Sequence, residues 1–331
     1  MPSSQNAALT ARKINHVLER FIPVTTPLAI VIGFLLPSFF IHLRPFITTL
    51  FGIMTFSGAL KLRPAQLGTT IRSPSPILLF FFAAHIIMPV FAMAVSSLFL
   101  ANQDVTAGFI LLFSGPTAVS GFIWVSIFKG DMALGLTLIL LDTLFAPLVV
   151  PGGVSLLMGA KIAMAGSSIA LSLLFMIVVP TFLGVTVNEI SKGKIPALVC
   201  PWFDPFAKMC LMAVIAANAS IIAPGMRFND PLVWKTAAFV IALTFAGFFI
   251  IRFTAVIGKC RSPKDISMII AGGLRNNSAI MTIAVNFFPE AAALPTLLSI
   301  MFQQSIMAIM GKVFLGDKRK AVGLPNDPAT Y

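Results

Sequence analysis

Apolar runs long enough to cross a bilayer follow one another along most of this chain, and that feature decides what it can fold into. A spanning helix needs about 20 mostly apolar residues. Runs of that kind lie near 22–42, 46–60, 75–101, 106–128, 132–157, 164–189, 204–224, 232–258, 264–288 and 291–314. The joints between them are short and hold much of the proline, glycine and charge, as at Arg44-Pro45, Gly130-Asp131, Gly258 to Pro263 and Pro289-Glu290. Only 10% of the 331 residues are charged, where a soluble domain has about 25%. So few charges cannot keep such a surface wet, which excludes a soluble enzyme, a secreted disulfide scaffold and a disordered chain.

The basic residues orient the spans. When the ten runs alternate across the membrane, Arg44, Lys161, Arg227 and Lys235 fall on one side, and Arg252 and Arg275 lie within spans. The other 17 of the 23 Lys and Arg residues fall on the side that holds both termini. Basic loops stay in the cytoplasm, so both termini are expected there, in a multi-pass inner or plasma membrane. The same asymmetry accounts for the net charge of +12 without a nucleic-acid partner, since no basic and aromatic cluster stands outside the apolar runs. The three Cys and three His residues are scattered, so neither a metal site nor a disulfide framework is expected, and no cofactor is expected. No cleavable leader is indicated ahead of the first run.

Two of the runs contradict their own helical pattern. Span 4 carries Ser114-Gly115-Pro116-Thr117 in its middle, and span 9 carries Gly272-Gly273 followed at once by Arg275, Asn276, Asn277 and Ser278. Proline lacks an N–H and clashes with the preceding turn, and paired glycines are poor helix formers. The backbone groups freed by each break must face protein, water or a ligand, because lipid offers no partner. The breaks lie five spans apart. Two halves of five spans each must be inverted relative to one another, and interrupted helices in matching places of inverted repeats point to a transporter's binding site. The expected organisation is a cytoplasmic segment 1–21, a first inverted repeat 22–157, a second 164–314 and a cytoplasmic tail 315–331. The expected fold class is an all-α polytopic membrane protein with ten transmembrane helices and crossed, discontinuous helices in spans 4 and 9.

These residues resemble the bile acid:sodium symporter family, within the wider bile/arsenite/riboflavin transporter superfamily. The pieces that carry the resemblance are Gly52-Ile-Met-Thr-Phe-Ser-Gly-Ala-Leu-Lys-Leu-Arg-Pro, Ile87-Met-Pro89, the Gly-Pro-Thr-Ala-Val-Ser run of span 4, the Gly-Asp-Met-Ala-Leu start of span 5, and Gly273-Leu-Arg-Asn-Asn-Ser-Ala. The resemblance covers about residues 22–315. It implies a panel domain of spans 1, 2, 6 and 7 and a core domain of spans 3–5 and 8–10. Spans 4 and 9 would cross at their unwound centres, with substrate beside the crossing. It also implies sodium ligands that this chain does not keep. The Ser-Asn pair after the span 4 break falls on Gly121 and Phe122, and the span 5 hydroxyls fall on Gly135 and Ile139. The Glu and Gln of the span 9 motif fall on Ala271 and Arg275, and the span 3 Gln falls on Ala84, so only Asn276 of that motif remains. A hard cation needs several oxygen ligands, so sodium is a doubtful partner. Arg275 is expected to act as a tethered cation in its place.

Charges inside spans are rare and each needs a reason. Asp142, mid-span 5, could pair with Arg275 directly or through water. Two roles stay open for that pair: a staple in place of lost ions, or a site where Asp142 takes a proton in a proton-coupled cycle. His85 in span 3 is a residue type that titrates near neutral pH. The half-helices starting near Ala118 and Asn277 present N–H groups and positive dipole ends, which suit an anion. Arg275, Asn276, Asn277, Ser278, Thr117, Ser120 and Asn218 are the expected substrate-binding residues. Asp142, His85 and again Arg275 are the expected coupling or ion-replacing residues. Gln303 and Gln304 in span 10 read as packing partners of span 9. The expected function is secondary transport of a small or amphipathic organic anion by alternating access, proton-coupled or facilitative, in contact with a lipid bilayer. A sodium-coupled symporter of the bile-acid type, and a channel or sensor on the same fold, are the alternatives. An arsenite carrier would want a Cys beside the breaks, and Cys210 lies in span 7 instead.

Overall fold

The computed structural model describes residues 24–62, 74–159 and 166–321, with side chains through 314. The expected segment 1–21 and the end of the tail lie outside the described residues. Every regular element described is helical. In chain order the helices are α1 Val24–Leu35, α2 Pro37–Ala59, α3 Pro74–Leu100 and α4 Gln103–Ser114. Then come α5 Gly121–Ile127, α6 Met132–Met158, α7 Gly166–Ile190 and α8 Lys194–Ile222. The last are α9 Pro231–Ile257, α10 Lys264–Gly273, α11 Asn277–Phe287 and α12 Glu290–Ala321.

Several starts follow from local chemistry. The side chains of Asn102, Asp131 and Asp230 accept hydrogen bonds from the backbone N–H groups of Val105, Leu134 and Leu232 at 3.0, 3.0 and 2.8 Å. Each satisfies one of the donors left over at a helix N-terminus. The outer faces of the long helices carry bare apolar side chains, with Leu148 72% and Leu156 84% exposed, as lipid contact requires. Close helix packing depends on small residues. A Cβ on Gly108 of α4 would collide with the Ala292 carbonyl of α12.

Seven helices among the described residues are long and apolar enough to cross a membrane by themselves, three fewer than the ten runs. Spans 4 and 9 are each divided into two short helices, α4 with α5 and α10 with α11. The first run is cut short at Leu36, whose backbone leaves the helical region ahead of Pro37, so α1 stops there and the expected joint at Arg44-Pro45 lies inside α2 as a 3₁₀ stretch, Ile41–Phe46. The seventh run starts earlier than expected. Pro201 and Pro205 are carried inside α8, as membrane helices can do when neighbours re-satisfy the freed groups. That shift moves Asp204 from a helix edge to the interior of a spanning helix.

Candidate functional site

The two breaks meet. Between α4 and α5, and between α10 and α11, the chain runs extended, and Thr117 pairs with Arg275 in an isolated antiparallel bridge. Asn276 N–H donates to the Pro116 carbonyl at 2.7 Å, and Ala118 N–H donates to the Leu274 carbonyl at 3.0 Å. Backbone groups freed by each break thus satisfy those freed by the other. This is the accounting that a buried, non-helical segment at membrane depth demands.

A following helix braces each break. Gln303 of α12 holds Arg275 by both backbone groups: its Oε1 accepts from Arg275 N–H and its Nε2 donates to the Arg275 carbonyl, each at 2.9 Å. Asp142 of α6 does the same work on the other side. Its Oδ2 accepts from Thr117 N–H at 2.8 Å and from Thr117 Oγ1 at 2.7 Å. The Ala271 carbonyl is a second acceptor within 3.0 Å of that hydroxyl. Asn276 caps α11 through its side chain, which accepts from Ala279 N–H at 3.3 Å.

Arg275 is 3% exposed and Asp142 wholly buried. The guanidinium donates through Nη1 to the Gly115 carbonyl at 2.9 Å and through Nη2 to the Ala84 carbonyl at 2.8 Å. Gly115 ends α4, and Ala84 lies in a π-helical turn of α3, Ala83–Ile87. Both places interrupt the regular helical ladder and offer carbonyl oxygens. The direct ion-pair partner of Asp142 is His85, whose Nε2 lies 2.7 Å from Oδ1, and no direct contact joins Asp142 to Arg275 among the described ion pairs. The arginine reaches the carbonyls at two helix interruptions, so its fork is already filled. Asp142 and Arg275 carry opposite formal charges. The other ring nitrogen of His85, Nδ1, is buried with no hydrogen-bond partner, and the ring stacks on Phe81 with centroids 5.5 Å apart.

A cavity of about 340 Å³ opens beside the crossing, near the lower end of the roughly 300–1,000 Å³ usual for small-molecule sites. The crossing supplies Ser120, Asn276, Asn277 and Ser278 to one wall. The facing wall comes from α2 and α8, with Ser57, Lys61, Asp204 and Lys208. Lys61 and Lys208 both belong to the lysine-rich side of the charge sorting, so the cavity reaches toward that side.

Of the expected substrate residues, Arg275, Asn276, Asn277, Ser278 and Ser120 line this cavity. Thr117 is tied to Asp142 behind it. Asn218 sits apart from the cavity lining, buried, with its amide donating to Thr282 Oγ1 at 3.1 Å. Sequence reasoning missed Asp204, whose Oδ2 lies 2.7 Å from Lys61 Nζ and whose Oδ1 accepts from Ser57 Oγ at 2.9 Å. The signal was present: an acidic residue beside an apolar run, hidden because the joint was read as extending to Pro201. It also undervalued Gln303, a packing partner that holds the break itself.

A family described as the sodium bile acid symporter family matches residues 48–224. Among proteins of known sequence, the uncharacterized protein YbaS of Bacillus subtilis (strain 168) is 35% identical over 291 residues, covering 88% of this chain and 95% of the relative. An uncharacterized sodium-dependent transporter, YocS, of the same organism is 22% identical, covering 86% and 88%. The probable sodium/metabolite cotransporter BASS3, chloroplastic, of Oryza sativa subsp. japonica is 24% identical over 94% of this chain and 72% of its own.

Proposed function

The chain belongs to the sodium bile acid symporter family, a family of membrane transporters, and from that premise we propose that it carries a small organic anion by alternating access without sodium. The observation that carries the second half is the placement of Arg275. The resemblance puts sodium ligands at Ala84, Ala271 and Arg275. Here the Ala84 carbonyl accepts from the guanidinium and the Ala271 carbonyl lies within reach of the Thr117 hydroxyl. A fixed cation and a hydroxyl thus sit against the backbone of two positions that have lost the side-chain oxygens the resemblance implies, and a tethered guanidinium repels a second cation.

The anion reading rests on the cavity's chemistry. Asn276, Asn277 and Ser278 cluster at the N-terminal end of α11, where backbone N–H groups and the helix dipole favour negative charge. The formal charge of Arg275 is offset by Asp142 behind the crossing, so the hydrogen-bonding groups of Ser120, Asn276, Asn277 and Ser278 and the helix end carry this reading. A carboxylate is the ordinary small-molecule group that this combination binds. The lysine-lined opening faces the cytoplasm in the expected orientation, so this conformation is inward-facing.

The inverted halves draw support from the bracing pattern. In each half the helix after the break supplies one side chain that accepts the N–H of the bridge residue. Asp142 does so for Thr117, 25 residues away, and Gln303 for Arg275, 28 residues away. Residues 22–157 and 164–314 then read as two copies of one plan, with the halves of the crossing related by a pseudo-two-fold axis. Core and panel domains, and both termini in the cytoplasm of a cell membrane, complete the proposal.

A second reading is favoured by one observation. The partnerless Nδ1 of His85, whose Nε2 contacts Asp142, is an open place for a proton, which would make the carrier proton-coupled. The test is a thermal-shift screen of carboxylates on the purified protein with and without sodium and across pH, followed by counterflow in proteoliposomes. Saturable counterflow of a hit in sodium-free buffer supports the carrier. Strict sodium dependence overturns it, and Asp142→Asn leaving pH-driven uptake unchanged removes the proton reading.

A further inference from the structure

We propose that one polar face of α11, formed by Ser278, Thr282 and Asn286, is the outer half of the substrate's path, the half away from the lysine-lined opening, and that Asn218 of α8 closes it in this conformation. This rests on the alternating-access reading and adds the residues that the anion passes beyond the cavity.

Two helix faces that line the cavity converge beyond it. On α8 the lining residues Asp204, Lys208, Leu211 and Ile215 follow one another at steps of three or four, so they share one face, and Asn218 is the next position on it. On α11 Ser278 lines the cavity, and Thr282 and Asn286 repeat its position at steps of four. The Asn218 amide donates to Thr282 Oγ1 at 3.1 Å, so the two faces join where the cavity ends. Asn218 and Thr282 are buried there, at 1% and 0% exposure, and Asn286 is exposed at the far end of α11. A file of hydroxyl and amide groups thus runs along α11 from the cavity to the opposite surface, shut at one point.

The chemistry of the closed point favours a contact made to open. Its helix neighbours Val214, Ala217, Ala219, Met281 and Val285 are buried in one apolar cluster, and an apolar pair would complete that packing. Asn218 instead brings an Oδ1 that is buried with no hydrogen-bond partner among the described residues. Its desolvation goes uncompensated while the contact is closed, and separating α8 from α11 admits water to it. Thr282 keeps a partner as the helices part, because its hydroxyl also donates to the Ser278 carbonyl at 3.0 Å. The Asn286 amide gives one N–H to the Thr282 carbonyl at 2.9 Å and has a second to offer. A carboxylate passing through the opened stretch therefore meets amide donors from both helices.

The experiment labels single cysteines in the full-length protein in membrane vesicles, after Cys200→Ser, Cys210→Ala and Cys260→Ser remove the native thiols. The reagent is an anionic methanethiosulfonate that does not cross the bilayer, applied from the side on which Asn229→Cys, an exposed position between α8 and α9, reacts. Thr282→Cys and Asn218→Cys should react from that side 10- to 1,000-fold more slowly than Asn229→Cys, the range set by a minor conformer populated at roughly 0.1–10%. Ala284→Cys, buried on the opposite face of α11, should stay inert. The inference is overturned if Ser278→Cys reacts from that side while Thr282→Cys and Asn218→Cys are as inert as Ala284→Cys. The path then runs elsewhere, and the Asn218–Thr282 bond is helix packing only. If Ser278→Cys itself never reacts from that side, the alternating-access reading fails, a distinguishable outcome.

Discussion

Replacing Asp142 by asparagine keeps the shape of the side chain and removes its charge at the most heavily bonded point of the molecule. The carboxylate is wholly buried and takes contacts at 2.8, 2.7 and 2.7 Å from Thr117 N–H, Thr117 Oγ1 and His85 Nε2. The amide can still accept from Thr117, but those bonds fall from charge-assisted to neutral, a loss of roughly 1 kcal/mol each. Toward His85 the amide presents an N–H. The imidazole must then become the acceptor, which puts its own proton on Nδ1, a buried atom with no partner, and an unsatisfied buried donor costs about 1–3 kcal/mol. Arg275 also loses its counter-charge. The sum is about 3–5 kcal/mol, the usual cost of removing one member of a buried charged pair. It should appear as a fall in melting temperature on the order of 5–10 °C in detergent. Arg275→Gln should be costly too, but the double variant should be less damaged than the two singles added together. Both residues hold the same Thr117–Arg275 bridge, and residues in one network couple by roughly 0.5–3 kcal/mol. Strict additivity would refute the reasoning, because it would mean that the two charges do not sense each other through the crossing.

Other outcomes follow from the same geometry. Gly108→Val should cost about 3 kcal/mol or more, because the new side chain meets the Ala292 carbonyl of α12 and overpacks a helix contact; Gly152→Ala, where a Cβ meets nothing within 4 Å, is the control in the same melting assay. Gln303→Leu should destabilise by about 2–4 kcal/mol, since it strands both the N–H and the carbonyl of Arg275 in a buried site. Arg275→Lys keeps the charge but cannot bridge the Gly115 and Ala84 carbonyls with a planar fork. It should lower the melting temperature measurably, whereas an unchanged value would show that charge alone matters there.

The parts of the fold that were legible in the sequence are those fixed by composition and by backbone chemistry. The scarcity of charge demanded a membrane, and Gly115-Pro116 and Gly272-Gly273 announced where helices fail. Arg275 drew attention because a charge within an apolar run needs a partner. Its direct contacts were not legible. Opposite charge suggested Asp142, but the structure gives the arginine to two carbonyls and the aspartate to His85 and Thr117. Backbone acceptors carry no signature in a sequence, so a freed carbonyl at Ala84 cannot compete on paper with a carboxylate at Asp142. Asp204 was lost for a different reason. Proline is a reliable helix stop in water but not among packed membrane helices, and reading Pro201 as the end of a joint left a buried acid at a helix edge. Asn218 is polar in an apolar helix, and that pattern does not reveal whether it faces a cavity or a neighbour such as Thr282.

The claim that most needs testing is that a guanidinium takes over the place of bound sodium in a chain whose relatives include a transporter described as sodium-dependent. Equilibrium binding of 22Na⁺ to the purified, unaltered protein tests it directly, with and without a carboxylate hit from the screen. The account predicts no saturable binding in either condition. Saturable 22Na⁺ binding that rises with the carboxylate would contradict it and return this chain to sodium-coupled symport.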